Sequence, residues 1–226
     1  MDAILTWIAD TYHYVMTDRL VNAEWINAHG GLYLIALIIF AETGLFIGFF
    51  LPGDGLLLIT GILLAGTITP FDQPVLNLIL WLIIISAAGI VGNMVGYWFG
   101  KKTGPALFEK KDTWLFKKKH MDQAREFYDK KGGTAIIVAR FLPVVRTFAP
   151  IVAGVVKMER KKFMLYNVIG GIAWVFSITI AGFALGKVMP NIGDYLHYII
   201  IGIVVVTTAP VLWKMFISKA KPKTEA

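Results

Sequence analysis

Two of the apolar stretches in this chain each carry ionisable residues and a proline near their middle, a combination that excludes most ways of folding them. A segment crossing the hydrocarbon core needs about 20 predominantly apolar residues, and five stretches qualify by length and character: 31–70, 75–100, 132–156, 163–189 and 195–213. The second, fourth and fifth read as ordinary transmembrane helices. The first holds Glu42 and is broken at Leu51-Pro52-Gly53-Asp54-Gly55, while 132–156 holds Arg140 and Arg146 and is interrupted by Pro143 and Pro150. Irregular backbone at membrane depth is tolerated only inside protein or around a wet cavity. Composition agrees: 57% of the 226 residues are hydrophobic and 16% charged, against about 45–50% and about 25% in soluble domains. The expectation is one all-α integral membrane domain.

Charge decides how the broken stretches are threaded. The net charge of +7 is distributed between apolar runs, which fits loop charge that orients a membrane protein rather than a nucleic-acid surface. Segment 101–131 is strongly basic, 157–162 holds Lys157, Arg160, Lys161 and Lys162, and the tail 214–226 is basic again. One crossing by 132–156 would put two basic segments on opposite faces. A re-entrant hairpin keeps both cytoplasmic, and the basic tail with them. By the same count 31–70 is a hairpin entering from the outer face. Residues 1–29, whose first basic residue is Arg19, lack the basic start of a secretory signal and suit a helix lying at the outer interface.

Weak internal repetition points the same way. Phe50-Leu51-Pro52 with Asp54 and Ala65-Gly66 is matched by Phe141-Leu142-Pro143 with Arg146 and Ala153-Gly154. The following spans end in Gly96-Tyr97-Trp98-Phe99-Gly100-Lys101 and Gly182-Phe183-Ala184-Leu185-Gly186-Lys187. Hairpin-plus-span units repeated in opposite orientation place a site at the repeat interface.

The chemistry-bearing residues are therefore Glu42, Asp54, Arg140 and Arg146. Ionisable groups at depth cost about 2.5–3.5 kcal/mol each on insertion scales and normally pair or face a cavity. Two acids in one hairpin and two bases in the other can neutralise one another, so an architectural ion-pair cluster is one reading. The other is a binding site: guanidinium forks grip phosphate bidentately, and Arg140 with Arg146 could clamp one phosphate head group. Glu42 is then a candidate proton acceptor whose ionisation follows occupancy of the arginines. Asp54 reads equally as a functional acid and as a turn or N-cap residue for a helix starting at Leu56. Pro52, Gly53, Pro143 and Pro150 shape the backbone around the four charges.

Other features have plainer readings. Gly92, Gly96, Gly100 and Gly104 form a small-residue stripe for close helix approach. Asn93 reads as an interhelical hydrogen bond, and Asn167 and Trp174 as hydrogen bonding and packing around Gly170-Gly171. Aromatic residues among the lysines of 101–131 suit an amphipathic helix on an anionic leaflet. The chain has no cysteine, which excludes thiol catalysis and thiolate metal sites, and its four scattered histidines show no metal-ligand spacing. No phosphate-binding glycine loop or nucleophile elbow is present, so neither a cofactor nor a metal is expected and the chain does not read as an enzyme.

The motifs together resemble the DedA family, the bacterial branch of the VTT-domain (SNARE-associated) superfamily that also contains eukaryotic lipid scramblases. The resemblance rests on Glu42-x-Gly44-x-Phe46, Leu51-Pro52-Gly53-Asp54, Gly61 and Ala65-Gly66, then Gly92-x3-Gly96-Tyr97-x2-Gly100-x3-Gly104. It continues through Arg140-Phe141-x-Pro143-x2-Arg146-x3-Pro150-x2-Ala153-Gly154 with Phe163, Asn167, Gly170 and Trp174. It covers about residues 30 to 190, with every motif in order. The resemblance implies a transporter of the bacterial inner membrane that returns undecaprenyl phosphate to the inner leaflet, linked to the proton-motive force and dependent on two acids and two arginines at the positions of Glu42, Asp54, Arg140 and Arg146. Some relatives move phosphatidylethanolamine instead.

The expected function is accordingly a proton-coupled flippase for a lipid phosphate, with Arg140 and Arg146 binding substrate and Glu42 and Asp54 coupling protons. The alternative is a phospholipid scramblase or flippase without proton coupling. A lipid phosphatase is disfavoured because no histidine lies near either arginine in sequence. The expected partners are a membrane lipid phosphate and protons, not nucleic acid, and an oligomer is compatible with the sequence.

Overall fold

A computed structural model of the chain describes residues 30–45, 53–66, 70–109 and 133–189. The expected interfacial helix 1–29, most of the basic segment 101–131, the expected span 195–213, the tail 214–226 and Pro52 lie outside the described residues. Among the described residues all regular structure is helical: α1 (Gly31–Gly44), α2 (Gly53–Leu64), α3 (Pro74–Glu109), α4 (Thr134–Ala139), α5 (Pro143–Val155) and α6 (Arg160–Val188).

Two helices are long and apolar enough to cross a membrane, α3 through Gly104 and α6. α3 opens on Pro74, whose missing N–H costs nothing in a first turn. The Asn77 side chain accepts from the Phe71 N–H at 3.0 Å and donates to the Phe71 carbonyl at 2.7 Å, bracing the turn before it. The helix continues nine residues past the expected end at Gly100, to Glu109, and its 36 residues span about 54 Å at 1.5 Å each. α6 starts three residues before the expected Phe163, directly after a turn in which Lys157 takes a left-handed φ of 57°. The Tyr97 hydroxyl donates to the Met158 carbonyl at 2.5 Å, and the Tyr97 ring stacks on Phe163.

Each broken stretch is a pair of helices rather than one. α1 and α2 have 14 and 12 residues, α4 and α5 have 6 and 13, so the longest covers only about 21 Å of a core about 30 Å thick. Pro143 opens α5, and Pro150 within it has no N–H to give the Arg146 carbonyl four residues back.

The helices pack reciprocally: α1 lies on α3 and α4 on α6, while α2 lies along α6 and α5 along α3. Backbones meet closely at both crossings. A Cβ on Gly100 would run into the Ile151 carbonyl of α5, and one on Gly182 into the Leu58 carbonyl of α2. The stripe on α3 thus serves two partners, α1 at Gly92 and α5 from Gly96 to Gly104. Ile35, Ile39, Leu57, Leu64, Ile85 and Trp174 lie in one buried core, and Tyr97, Ile136, Ala153 and Phe163 form a smaller one. Outside these cores Leu37, Ile79, Ile83, Leu165 and Ile180 face outward. Helices apolar on both faces are what a bilayer, and not water, can cover.

Candidate functional site: two acids and two arginines around one tryptophan

The four charges predicted from sequence converge where the helix pairs meet the long helices. Glu42 sits in the last turn of α1 and is fully buried (0% exposed). Gly53, the first residue of α2, lies against it so closely that a Cβ there would take the place of the Glu42 carboxylate. α2 begins at Gly53 rather than near Leu56, so Asp54 lies inside its first turn. There the helix dipole favours an anion. Its carboxylate is turned to tertiary partners, which corrects the reading of Asp54 as the cap of a helix starting at Leu56. Arg140 ends α4 and Arg146 lies in the first turn of α5.

Arg146 holds both acids. Its Nη2 donates to Glu42 Oε1, and its Nη1 donates to Asp54 Oδ1 at 2.5 Å. A cation near a helix N-terminus is unfavourable on its own; two carboxylates from two other helices offset this. Asp54 Oδ1 also accepts the Trp174 indole N–H at 2.8 Å, so the same oxygen joins α2, α5 and α6. The Trp174 ring faces both guanidinium groups, 5.0 Å from Arg146 and 5.8 Å from Arg140, within cation–π range.

Arg140 is held differently. It is 2% exposed, and among the described residues no carboxylate lies within ion-pair distance of it. Its Nη2 donates to Asn167 Oδ1 at 2.6 Å and to the Gly89 carbonyl at 3.3 Å, both neutral acceptors. Asn167 in turn donates to the Ile90 carbonyl and accepts from Asn93 Nδ2, each at 3.0 Å. Four polar atoms of the cluster are buried without a hydrogen-bond partner among the described residues: Glu42 Oε2, Arg146 Nε, Arg140 Nε and Asn93 Oδ1. Buried polar atoms are rarely left so, and four of them fall in this one cluster. No group of three His, Cys, Asp or Glu able to hold a metal occurs among the described residues.

All four sequence-predicted charges are therefore brought together, with Glu42 paired to Arg146, a choice the sequence left open. Gly53 lies against Glu42, whereas Pro150 faces Gly96 of α3. Trp174 and Asn167, read from sequence as packing and hydrogen bonding, are contact residues of the site. The available signal was their spacing: Asn167, Gly170, Gly171 and Trp174 occupy one face of α6 over two turns, the face that meets both arginines. The interhelical hydrogen bond expected of Asn93 is present.

Comparison with known proteins places this cluster in context. Residues 30–184 match the VTT domain. The chain is 41% identical over 186 residues to the protein DedA of Escherichia coli (strain K12), covering 82% of this chain and 80% of that one. It is 37% identical over 202 residues to the membrane protein Rv0364 of Mycobacterium tuberculosis (strain H37Rv), covering 87% and 86%. It is 31% identical over 173 residues to the inner membrane protein YqjA of Escherichia coli (strain K12), covering 75% and 73%. No solved structure matches the chain. A family match over residues 30–184, with relatives of this identity and coverage, makes this chain a membrane protein of the DedA family.

Proposed function

We infer that the protein is a flippase for an anionic lipid phosphate in the bacterial inner membrane, most specifically for undecaprenyl phosphate, and that transport is coupled to protons. The observation that carries this reading is the buried guanidinium of Arg140, whose charge has no carboxylate opposite it among the described residues while Arg146 has two. An uncompensated buried cation costs several kcal/mol, and an anionic guest removes that cost. The phosphate is the part of the substrate this site can recognise; the polyprenyl tail comes from the family.

In this reading the two helix pairs are re-entrant hairpins entering from opposite faces, in an inverted repeat with its site at the interface. The reciprocal packing of α2 on α6 and of α5 on α3 supports that arrangement. The positive-inside rule makes the protein multi-pass with a cytoplasmic C-terminus. Glu42 Oε2 is an open position for a proton. Protonation there removes one of the two charges that hold Arg146, and the Nη2 group this frees joins Arg140 on the phosphate while Nη1 stays on Asp54. Asp54 keeps its indole donor through this exchange and holds α2 to α6. Proton uptake and head-group capture are thereby linked, and no bond is made or broken in the lipid.

The test is translocation in proteoliposomes of undecaprenyl phosphate and of phosphatidylethanolamine, each with and without a pH gradient. Gradient-dependent movement of the polyprenyl phosphate, lost in Arg146→Ala, is the expected result. Movement of both lipids irrespective of the gradient makes the protein a scramblase and removes the proton role of Glu42. Unchanged transport by Arg146→Ala refutes the clamp.

A further inference from the structure

We propose that Asn93 is a specificity determinant that selects phosphate monoesters over phosphodiesters, an inference that rests on the reading of the site as a lipid-phosphate site. Arginine can only donate, which fixes the direction of every bond leading away from Arg140. Because Arg140 Nη2 donates to the Asn167 side chain at 2.6 Å, the atom there is the amide oxygen, and the Asn167 nitrogen is the one that meets the Ile90 carbonyl. The Asn93 atom facing that same oxygen must then be its nitrogen. The Asn93 oxygen is left pointing elsewhere as an acceptor. It is buried, Asn93 is 2% exposed, and no donor reaches it among the described residues.

The cluster around Asn167 thus holds two groups of opposite kind that are unmet among the described residues, the Arg140 Nε donor and the Asn93 Oδ1 acceptor, together with a positive charge that no described carboxylate meets. A guest that satisfies all three carries one negative charge, one acceptor oxygen and one hydroxyl. A phosphate monoester in its monoanionic form has all of these on one phosphorus: P–O⁻ and P=O for the guanidinium, P–OH for the asparagine. A phosphodiester, the linkage in ordinary phospholipids, has the charge and the acceptors but no P–OH. Asn93 therefore accepts a hydrogen bond that, from the phosphorus centre itself, only the monoester can make. One buried hydrogen bond of this kind corresponds to about tenfold in affinity.

The experiment uses the full chain in detergent micelles at about pH 5, below the second ionisation of a phosphate monoester near 6. Undecaprenyl phosphate and its O-methyl diester then carry the same single charge and the same tail, so a difference in binding reads the hydroxyl alone. The wild type is expected to bind the monoester about tenfold more tightly. Asn93→Leu, similar in size but without an acceptor, is expected to bind the monoester no more tightly than the diester, and circular dichroism of the same preparation shows that the variant is folded. Equal binding of the two lipids by the wild type overturns the inference and leaves the lipid-phosphate reading standing. A preference that persists in Asn93→Leu removes Asn93 from the discrimination. Binding of neither lipid by the wild type refutes the lipid-phosphate reading and this inference with it.

Discussion

Removing the charge of Arg146 separates what the cluster does for the fold from what it does for transport. In Arg146→Met, Glu42 and Asp54 lose their cation while Glu42 stays fully buried. Breaking a buried pair from one side costs about 3–5 kcal/mol, because a charge is left in low dielectric. Asp54, at 25% exposure, retains some solvation and its indole donor, so most of the cost falls on Glu42. For a chain of this size about 1 kcal/mol corresponds to about 2–4 °C in Tm, giving an expected fall of roughly 6–20 °C. Adding Glu42→Gln and Asp54→Asn removes every charge the arginine compensated, and neutral replacement of a complete buried ionic group is often neutral or stabilising. The triple variant is therefore expected to recover most of the lost Tm. Intrinsic fluorescence of the seven tryptophans reads unfolding in micelles, and proteoliposome transport reads function on the same preparations. Recovery of stability without recovery of transport is the expected pair of results. If the triple variant transports normally, the charges are architectural and the flippase mechanism falls. If the single and triple variants melt together, the assignment of Glu42 to Arg146 is wrong.

Three further outcomes follow from particular contacts. Trp174→Phe keeps an aromatic face for the guanidiniums but loses the N–H donated to Asp54 at 2.8 Å, a charge-assisted bond of about 1.5–3 kcal/mol; Trp174→Leu, which also loses the ring, should melt lower still in the same assay. Gly100→Ala places a methyl against the Ile151 carbonyl, whereas Gly96→Ala meets Pro150 and Ile151 at 3.5 and 3.6 Å, ordinary contact distances. Thermal unfolding should show the first destabilised and the second unchanged or stabilised by up to about 1 kcal/mol from helix propensity. Gly53→Ala sets a methyl where the Glu42 carboxylate lies, and is expected to abolish proton-coupled transport in proteoliposomes while leaving the chain folded by circular dichroism.

The sequence made the four charges legible because hydrocarbon makes them expensive: Glu42, Asp54, Arg140 and Arg146 stand out in stretches otherwise free of charge. The breaks at Gly53 and Pro143 were equally visible, since glycine and proline act through local backbone geometry. Pairing was not. That Arg146 takes both acids, leaving Arg140 to Asn167 and a carbonyl, depends on how α2 and α5 each cross the long helix of the other half, and no local pattern encodes a crossing. The same holds for Trp174, whose indole reads as packing until Asp54 is brought to it across 120 residues. Helix ends were the least legible. Of the two readings open to Asp54, functional acid or cap, the cap needs a helix start at Leu56, yet α2 starts at Gly53 and the carboxylate has tertiary partners.

The exchange of partners between the two halves bears on how the protein is made. Asp54 and Arg146 are 92 residues apart in the chain, and synthesis proceeds at about 5–20 residues per second. For roughly 5 to 20 s Asp54 has been made and its arginine has not, and α6, which covers α2, is made later still. During that interval burying the acid-bearing helix pair leaves its carboxylates without a cation, a costly state that contact with water avoids. Insertion of the first half is thus completed by the second, and a ribosome stalled between the two would release a product whose charges have nowhere to go.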